Sequence, residues 1–318
     1  MKILITGGAG FIGSHLCKRL IKENHQIICV DNLLTGNKKN IQPLINNKNF
    51  SFLEKDVIKP LPSSLQVDAI FHLASPASPN HHSKISYHSL PMETMLVNTV
   101  GTLELLKIAH KNKAKFLFAS TSEVYGNPLE HPQSEEYRGN VSTVGPRSVY
   151  DESKRFGETL VAYFFRNKKL DTRIVRIFNT YGPNMVRADM RMIIAFIDQA
   201  LSGNPITVFG DGKQTRSLCY IDDLVEGLIR LMFYPNTTGQ IVNLGNPNEY
   251  SVAEYAQIVK KILNSSSRIT FSEKLPEDDP KKRCPDISKA KKLLNWEPTV
   301  SLEEGLEKTI KYFQEEIL

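Results

Sequence analysis

Short apolar runs alternate with amphipathic stretches along most of this chain. Residues 2–6 form a run of strand length, and after it Ile12, Leu16 and Leu20 recur at helical spacing. Further strand-length runs lie at 26–31, 50–54, 69–74, 115–119 and 171–178, bounded by polar or glycine-containing turns. Between them, 93–112 places Leu96, Val100, Leu103 and Leu106 on one helical face, and 148–167 places Phe156, Leu160 and Phe164. Apolar strands separated by helices predict an α/β fold with a doubly wound parallel sheet, covered on both faces. Beyond 178 the pattern changes: 206–209 and 215–220 read as a small hairpin, 222–232 as a helix returning to the first domain. Ser251 with Glu254, and Ser301 with Glu304, have the spacing of helix-capping boxes. The expected organisation is a first domain over 1–178, with a returning segment near 215–245, and a smaller C-terminal lobe over 179–318 interleaved with it.

Composition narrows the function classes. The 318 residues are 41% hydrophobic and 23% charged, an ordinary balance for a chain large enough to build a full core. No run approaches the roughly 20 apolar residues of a membrane span. The first residues read directly as a strand, which leaves no expected signal peptide, so a cytoplasmic protein with no membrane partner is expected. Cys17, Cys29, Cys219 and Cys284 lack paired spacing, which points to thiols rather than to disulfides or zinc. His72, His81, His82 and His88 likewise lack the carboxylate or cysteine spacing of a metal site, and read as strand and loop histidines. The net charge of +6 is spread along the chain with no aromatic-interleaved basic motif, so no nucleic-acid partner is expected.

The first strand runs into Gly7, Gly10, Phe11, Ile12 and Gly13, which open a helix. Glycines at that spacing let a pyrophosphate approach the backbone at a helix N-terminus. The second strand ends in Asp31, an acid at the distance expected for a ribose partner. This strand–glycine–helix–strand–acid order is a Rossmann-type dinucleotide site. Asp31 accepts from ribose hydroxyls and repels a 2′-phosphate, which favours NAD over NADP.

The run at 115–119 breaks into Thr121, Ser122 and Glu123, placing hydroxyls and a carboxylate at a strand's carboxyl end, where open α/β sheets bind ligands. Tyr150 and Lys154 are four residues apart, on one helical face. An ammonium near a phenol favours the phenolate and lowers a pKa of roughly 10 towards neutrality, as a general base needs. The glycine pattern, the hydroxyl cluster and the Tyr–Lys pair, in that order, resemble the extended short-chain dehydrogenase/reductases that modify nucleotide sugars. The resemblance implies Tyr150 and Lys154 at the nicotinamide ribose as well, Asp56 and Val57 beside the adenine, and Leu73 and Ala74 in the cofactor wall. It also implies a homodimer built through the helices at 93–112 and 148–167.

In the second lobe, Asn179, Arg187, Arg191 and Arg216 are candidates for binding a sugar-nucleotide pyrophosphate. The segment from Asp279 to Asp286 resembles the family signature DPxxRxPDI and presents Arg283. The stretches 72–79, 119–126, 131–134, 145–147, 176–179 and 243–247 together resemble the UDP-glucuronate decarboxylase family. Asn184 and Met190 depart from it, where members usually carry Arg and Gly. The resemblance implies oxidation of UDP-glucuronate at C4, loss of CO₂ from the β-keto acid, and reduction to UDP-xylose with NAD regenerated. Tyr150 is then base and acid at O4, tuned by Lys154; Thr121 binds O4, and Ser122 assists. Glu123, protonated or holding a water, and Arg283 manage the carboxylate and C5, with Arg147 and Tyr125 behind them. A 4,6-dehydratase is disfavoured because Ser122 replaces the acid that protonates a departing hydroxyl, while a 4-epimerase leaves Glu123 without a task. Release of the 4-keto-pentose, and a non-catalytic NAD-binding scaffold, are the remaining alternatives.

Overall fold

The computed structural model describes residues 1–62, 64–272 and 282–317. In chain order the first part consists of β1 (Lys2–Thr6), α1 (Phe11–Lys22), β2 (Gln26–Asp31), β3 (Phe50–Glu54), β4 (Ala69–His72), α2 (Pro91–Leu96), α3 (Thr102–Asn112), β5 (Lys115–Thr121), α4 (Ser148–Lys168) and β6 (Thr172–Ile177). There follow β7 (Thr180–Tyr181), α5 (Met192–Leu201), β8 (Ile206–Phe209), β9 (Thr215–Ser217), β10 (Cys219–Tyr220), α6 (Ile221–Phe233), β11 (Ile241–Leu244), β12 (Glu249–Ser251), α7 (Val252–Ile262), β13 (Ile269–Ser272), α8 (Ser288–Leu294) and α9 (Leu302–Ile317).

Seven strands form one sheet in the order β11-β6-β5-β4-β1-β2-β3, every pairing parallel. Alternation along β1 shows why the inner strands β1, β2, β4 and β5 are apolar. Ile3 and Ile5 enter a core shared with α1 and α6, while Leu4 enters the opposite core with α3 and α4. Strand order reverses direction between β1 and β4, and the carboxyl ends of strands at such a point frame a ligand crevice. Outside this sheet β8 pairs with β13, β9 with β12 and β10 with β7. No helix among the described residues is long and apolar enough to cross a membrane.

Several expectations are corrected. The expected hairpin does not form: β8 and β9 take different partners, β13 in parallel and β12 in antiparallel register, although Gly210 and Gly212 do turn the chain with positive φ. Residues 93–112 are not one regular helix, because Val97–Gly101 form a wider π turn between α2 and α3. Its extra residue rotates the face, so Val97, Leu105, Leu106 and Ala109 are buried and Val100 is 40% exposed. In α4 the buried line runs through Tyr150, Lys154, Gly157, Val161 and Phe164. A Cβ at Gly157 would overlap the Phe118 ring, so the helix presses onto β5 there and Phe156 is left 50% exposed. Ser251 and Glu254 make a complete capping box. At Ser301 the described bonds show one half: its hydroxyl accepts from the Glu304 N–H, and the Glu304 carboxylate accepts from Lys308. Of the signature reaching Asp286, Asp279, Pro280 and Lys281 lie outside the described residues.

Candidate active site

A single cavity runs over the carboxyl ends of the strands, from the glycine turn after β1 to the end of β6. Its lining includes Gly7, Gly10, Phe11, Ile12, Gly13, Asp31, Asp56, Val57, Leu73 and Ala74 at one end, and Thr121, Ser122, Glu123, Tyr150, Lys154, Asn179 and Arg191 at the other. The glycines are required by contact. Gly7 has φ +69°, and a Cβ there would lie 2.8 Å from the Ala74 backbone; a Cβ on Gly13 would overlap the Gly7 carbonyl oxygen. Helix α1 starts with neither a side-chain cap nor an acid in its first turn, so its N-terminus favours an anion. Asp31 is buried and accepts from the Ala9 and Leu33 N–H groups, each at 2.9 Å. Burial pushes its carboxyl up, against those bonds. The cradle thus fits a dinucleotide pyrophosphate and an adenosine ribose.

A preference for NAD⁺ over NADP⁺ follows from placing a 2′-phosphate against Asp31. Like charges set together cost several kcal/mol, so dissociation constants should differ by about 100-fold or more. Asp31→Ala should narrow that ratio in a titration following protein fluorescence. Equal constants for the unmodified protein would contradict the assignment.

At the other end, β5 delivers Thr121, and the turn Ser122–Tyr125 follows, its first N–H groups capped when Glu123 N donates to Thr121 Oγ1 at 3.2 Å. Tyr150 and Lys154 sit one turn apart near the start of α4, both buried. Their relation differs from the expected direct pairing. Lys154 donates to the Ala119 carbonyl at 2.7 Å and lies 5.8 Å from the centre of the Tyr150 ring. Burial pulls the ammonium down to about 7, with Glu158 opposing. Burial also pushes the Tyr150 phenol up, against the Thr121 hydroxyl bond, while Glu123 adds to the rise and Arg191 opposes it.

Glu123 carries the second surprise. It lies between Arg147 and Arg283, with one carboxylate oxygen paired to each guanidinium. Burial disfavours its charge, but the two arginines together hold the carboxyl down to about 2. Of the two expected forms, a protonated acid and a carboxylate holding a water, these arginines favour the carboxylate. Neither arginine lines the cavity, which they reach through Glu123, and Arg283 has a buried Nη2 with no hydrogen-bond partner among the described residues.

The remaining candidates separate. Asn179 and Arg191 line the cavity, Arg191 with its Nε 2.7 Å from Asp189. Arg187 pairs with Asp198 on α5, and Arg216, on β9, donates to the Thr215 carbonyl at 2.8 Å; neither lines the cavity. Tyr125 donates to Asn243 and accepts from Arg176, a buried brace beneath the site. His72 is a strand histidine held between Thr6 and Thr102. Asn184 and Met190, the departures from the family pattern, both have positive φ, a conformation that glycine at 190 would adopt without strain.

Two residues near the chemistry escaped the sequence. Tyr87 stacks on Tyr150, ring centres 4.9 Å apart and planes 5° from parallel. Asp151 is buried, and its carboxyl is pushed up to about 8 by burial and by Glu123. The position of Asp151 beside Tyr150 was available as a signal, but Tyr87 lies in a loop whose path no periodicity reports.

The NAD dependent epimerase/dehydratase family model matches residues 3–245. UDP-glucuronic acid decarboxylase 1 of Xenopus tropicalis is 48% identical over 316 residues, covering 99% of this chain and 73% of the relative. UDP-glucuronic acid decarboxylase 3 of Arabidopsis thaliana is 50% identical over 307 residues, 96% of this chain and 87% of the relative. A solved UDP-glucuronic acid 4-epimerase from Bacillus cereus, in complex with UDP-glucuronic acid and NAD, superposes with a TM-score of 0.87 at 33% identity, covering 99% of both chains. With the cradle, the Tyr–Lys helix and these matches together, the cofactor is NAD, and this chain belongs to the NAD dependent epimerase/dehydratase family.

Proposed function

We propose that this chain is a UDP-glucuronate decarboxylase that forms UDP-xylose and regenerates its NAD. The observation that carries the reading is the charge beside Tyr150: one carboxylate, Glu123, between two guanidiniums, Arg147 and Arg283. Two guanidiniums beside the catalytic phenol suit a sugar bearing an anionic C6 carboxylate. The names of the decarboxylase relatives support the same substrate.

NAD, when bound, would supply a hydride acceptor for sugar C4 and afterwards a hydride donor to the same carbon. Tyr150 takes the O4 proton, with Thr121 hydrogen-bonding the same oxygen, and Lys154 anchors the cofactor end of α4. Once C4 is a ketone, the C6 carboxylate is β to it. The C5–C6 bond breaks, its electron pair moves towards O4, and CO₂ leaves. Tyr150 and Thr121 hold the charge developing on O4, and Arg283, behind Glu123, acts on the departing carboxylate through its charge. Glu123, fixed as a carboxylate, positions a water that gives C5 its proton, and the hydroxide left takes one from solvent, the one proton that loss of CO₂ consumes. Ser122 is a neighbouring hydroxyl, and Asn179 and Arg191 bind the nucleotide part of the substrate; Arg187 and Arg216 are assigned no contact with it.

Incubation with UDP-glucuronate should release CO₂ and yield a UDP-pentose identified as UDP-xylose by mass and NMR. UDP-galacturonate without CO₂ would mean a 4-epimerase, and UDP-4-keto-pentose with reduced cofactor would mean that the second reduction is missing. No turnover, despite bound NAD, would favour a scaffold.

Two copies pair through α2, α3 and α4. Support comes from Met92, Phe156 and Tyr163, large apolar side chains between 44% and 56% exposed on helices that pack together. The protein should sediment as a dimer and Phe156→Asp as a monomer; a monomeric parent would contradict this.

A further inference from the structure

We infer that His131, Glu249 and Cys284 form a binding site for a divalent transition metal of the zinc class, separate from the catalytic cavity. Their ligand atoms, the imidazole nitrogen, a carboxylate oxygen and the thiol sulfur, all lie within 4.8 Å of one another. The residues are far apart in sequence, so no spacing motif reports them. None of them lines the cavity that holds Tyr150.

The three donors come from three segments that are already fixed to each other. Gln133 donates its N–H to the Cys284 carbonyl at 2.9 Å, and the Cys284 N–H donates to Gln133 Oε1 at 3.0 Å. Asp286 N–H donates to the Gln133 carbonyl at 2.8 Å. Glu249 begins β12 and is paired with Ser217 on β9. Its Oε1 accepts from the Thr215 hydroxyl at 2.7 Å, which orients the carboxylate and leaves Oε2 towards His131 Nε2 at 2.8 Å. An outer-shell bond of this kind is what tunes a metal ligand.

Thiolate, imidazole and carboxylate together select zinc and similar ions over calcium or magnesium. Tetrahedral zinc bonds set ligand atoms roughly 3.3–3.7 Å apart. The His131–Glu249 pair therefore opens slightly and the sulfur closes by about 1 Å or less. The buried Cys284 is the fixed member, whereas His131 and Glu249 have side chains 33% and 23% exposed and can rotate. Binding costs one thiol proton together with the thiol's 3.3 Å bond to the Pro247 carbonyl, and His131 must carry its remaining proton on Nδ1. That change gives up a contact with the Gln133 amide at 3.5 Å, which is long for a hydrogen bond. The charges then cancel: a dication against one thiolate and one carboxylate. A fourth position is left for water.

Cys284 directly follows Arg283, whose guanidinium pairs with Glu123. A metal here ties the segment carrying that arginine to β12 and to the loop of His131. The rest of the enzyme's reading is not needed for the site, and its test is independent of turnover.

The test is a Co²⁺ titration of the reduced, chelator-treated protein, followed by the thiolate-to-cobalt charge-transfer absorption. One equivalent should produce the band, Zn²⁺ should displace it, and Cys284→Ser should remove it. His131→Asn and Glu249→Gln, at partly exposed positions, should each weaken binding by more than the roughly 10- to 100-fold that loss of an outer-shell partner costs. These two variants decide the matter if Cys284→Ser does not fold. No band with excess cobalt, a band that survives Cys284→Ser, or one that His131→Asn and Glu249→Gln leave unchanged would overturn the proposal.

Discussion

Tyr150→Phe should leave a folded protein that binds NAD and has lost turnover of UDP-glucuronate by about 10²- to 10⁴-fold, the contribution of a positioned acid/base group. The ring is buried and stacked on Tyr87, so phenylalanine keeps the packing and removes only the hydroxyl. What is lost is specific: the oxygen hydrogen-bonded by Thr121, in a setting where burial and Glu123 raise the phenol and Arg191 opposes them. Lys154 does not touch that oxygen directly, its ammonium being committed to the Ala119 carbonyl. The expected signature is a lower kcat with a nearly unchanged KM, because the hydroxyl acts on the reacting C4 rather than on the nucleotide. Thermal unfolding close to the parent's separates this from a folding defect. A variant retaining more than a small fraction of parent activity would mean that another group removes the O4 proton.

Glu123→Gln should slow the reaction after oxidation at C4, again by about 10²- to 10⁴-fold, and it should also change stability with a definite pH dependence. The carboxylate's pKa is lowered in the folded protein from 4.5 to about 2. Its stabilising contribution is therefore complete above 4.5 and disappears as pH falls towards 2. Glutamine keeps the shape but leaves Arg147 and Arg283 with less compensation. Removing one partner of a buried ion pair costs about 3–5 kcal/mol, and glutamine's remaining hydrogen bonds place this variant at or below the low end. The stability gap to the parent should thus be present at pH 7 and close in strong acid. Arg283→Ala should lose substrate affinity more than Glu123→Gln does, since the arginine carries the charge complementary to the sugar carboxylate. Stopped-flow CO₂ release and urea unfolding across pH read the two effects. Parent-like CO₂ release by Glu123→Gln would leave the carboxylate only a structural role, and a pH-independent stability gap would contradict its ionised state.

What the sequence made legible were features set by local chemistry. Strands β1, β2, β4 and β5 announce themselves because both faces of the parallel sheet are buried there, so each reads as an apolar run, as Ile3, Leu4 and Ile5 show. The glycine turn is legible because side chains would collide there, and Tyr150 with Lys154 because four residues make one helical turn. What was hidden depends on contacts between distant segments. The ionisation of Glu123 is decided by Arg147, 24 residues away, together with Arg283, 160 residues away. Phe156 matched the helical spacing of a core residue, yet Gly157 against Phe118 sets which face of α4 is buried. Arg187 looked available for a pyrophosphate until α5 placed Asp198 beside it. The π turn at Val97–Gly101 shifted the face of a helix whose spacing alone looked regular.

A single site that oxidises, decarboxylates and reduces the same sugar makes no net use of NAD. Turnover of UDP-glucuronate in D₂O, with the product analysed by NMR and mass, should give one CO₂ per substrate consumed, UDP-xylose carrying one deuterium at C5, and no net reduced cofactor at the end. A UDP-hexuronate product with no CO₂, or UDP-xylose without deuterium at C5, would contradict that sequence of steps.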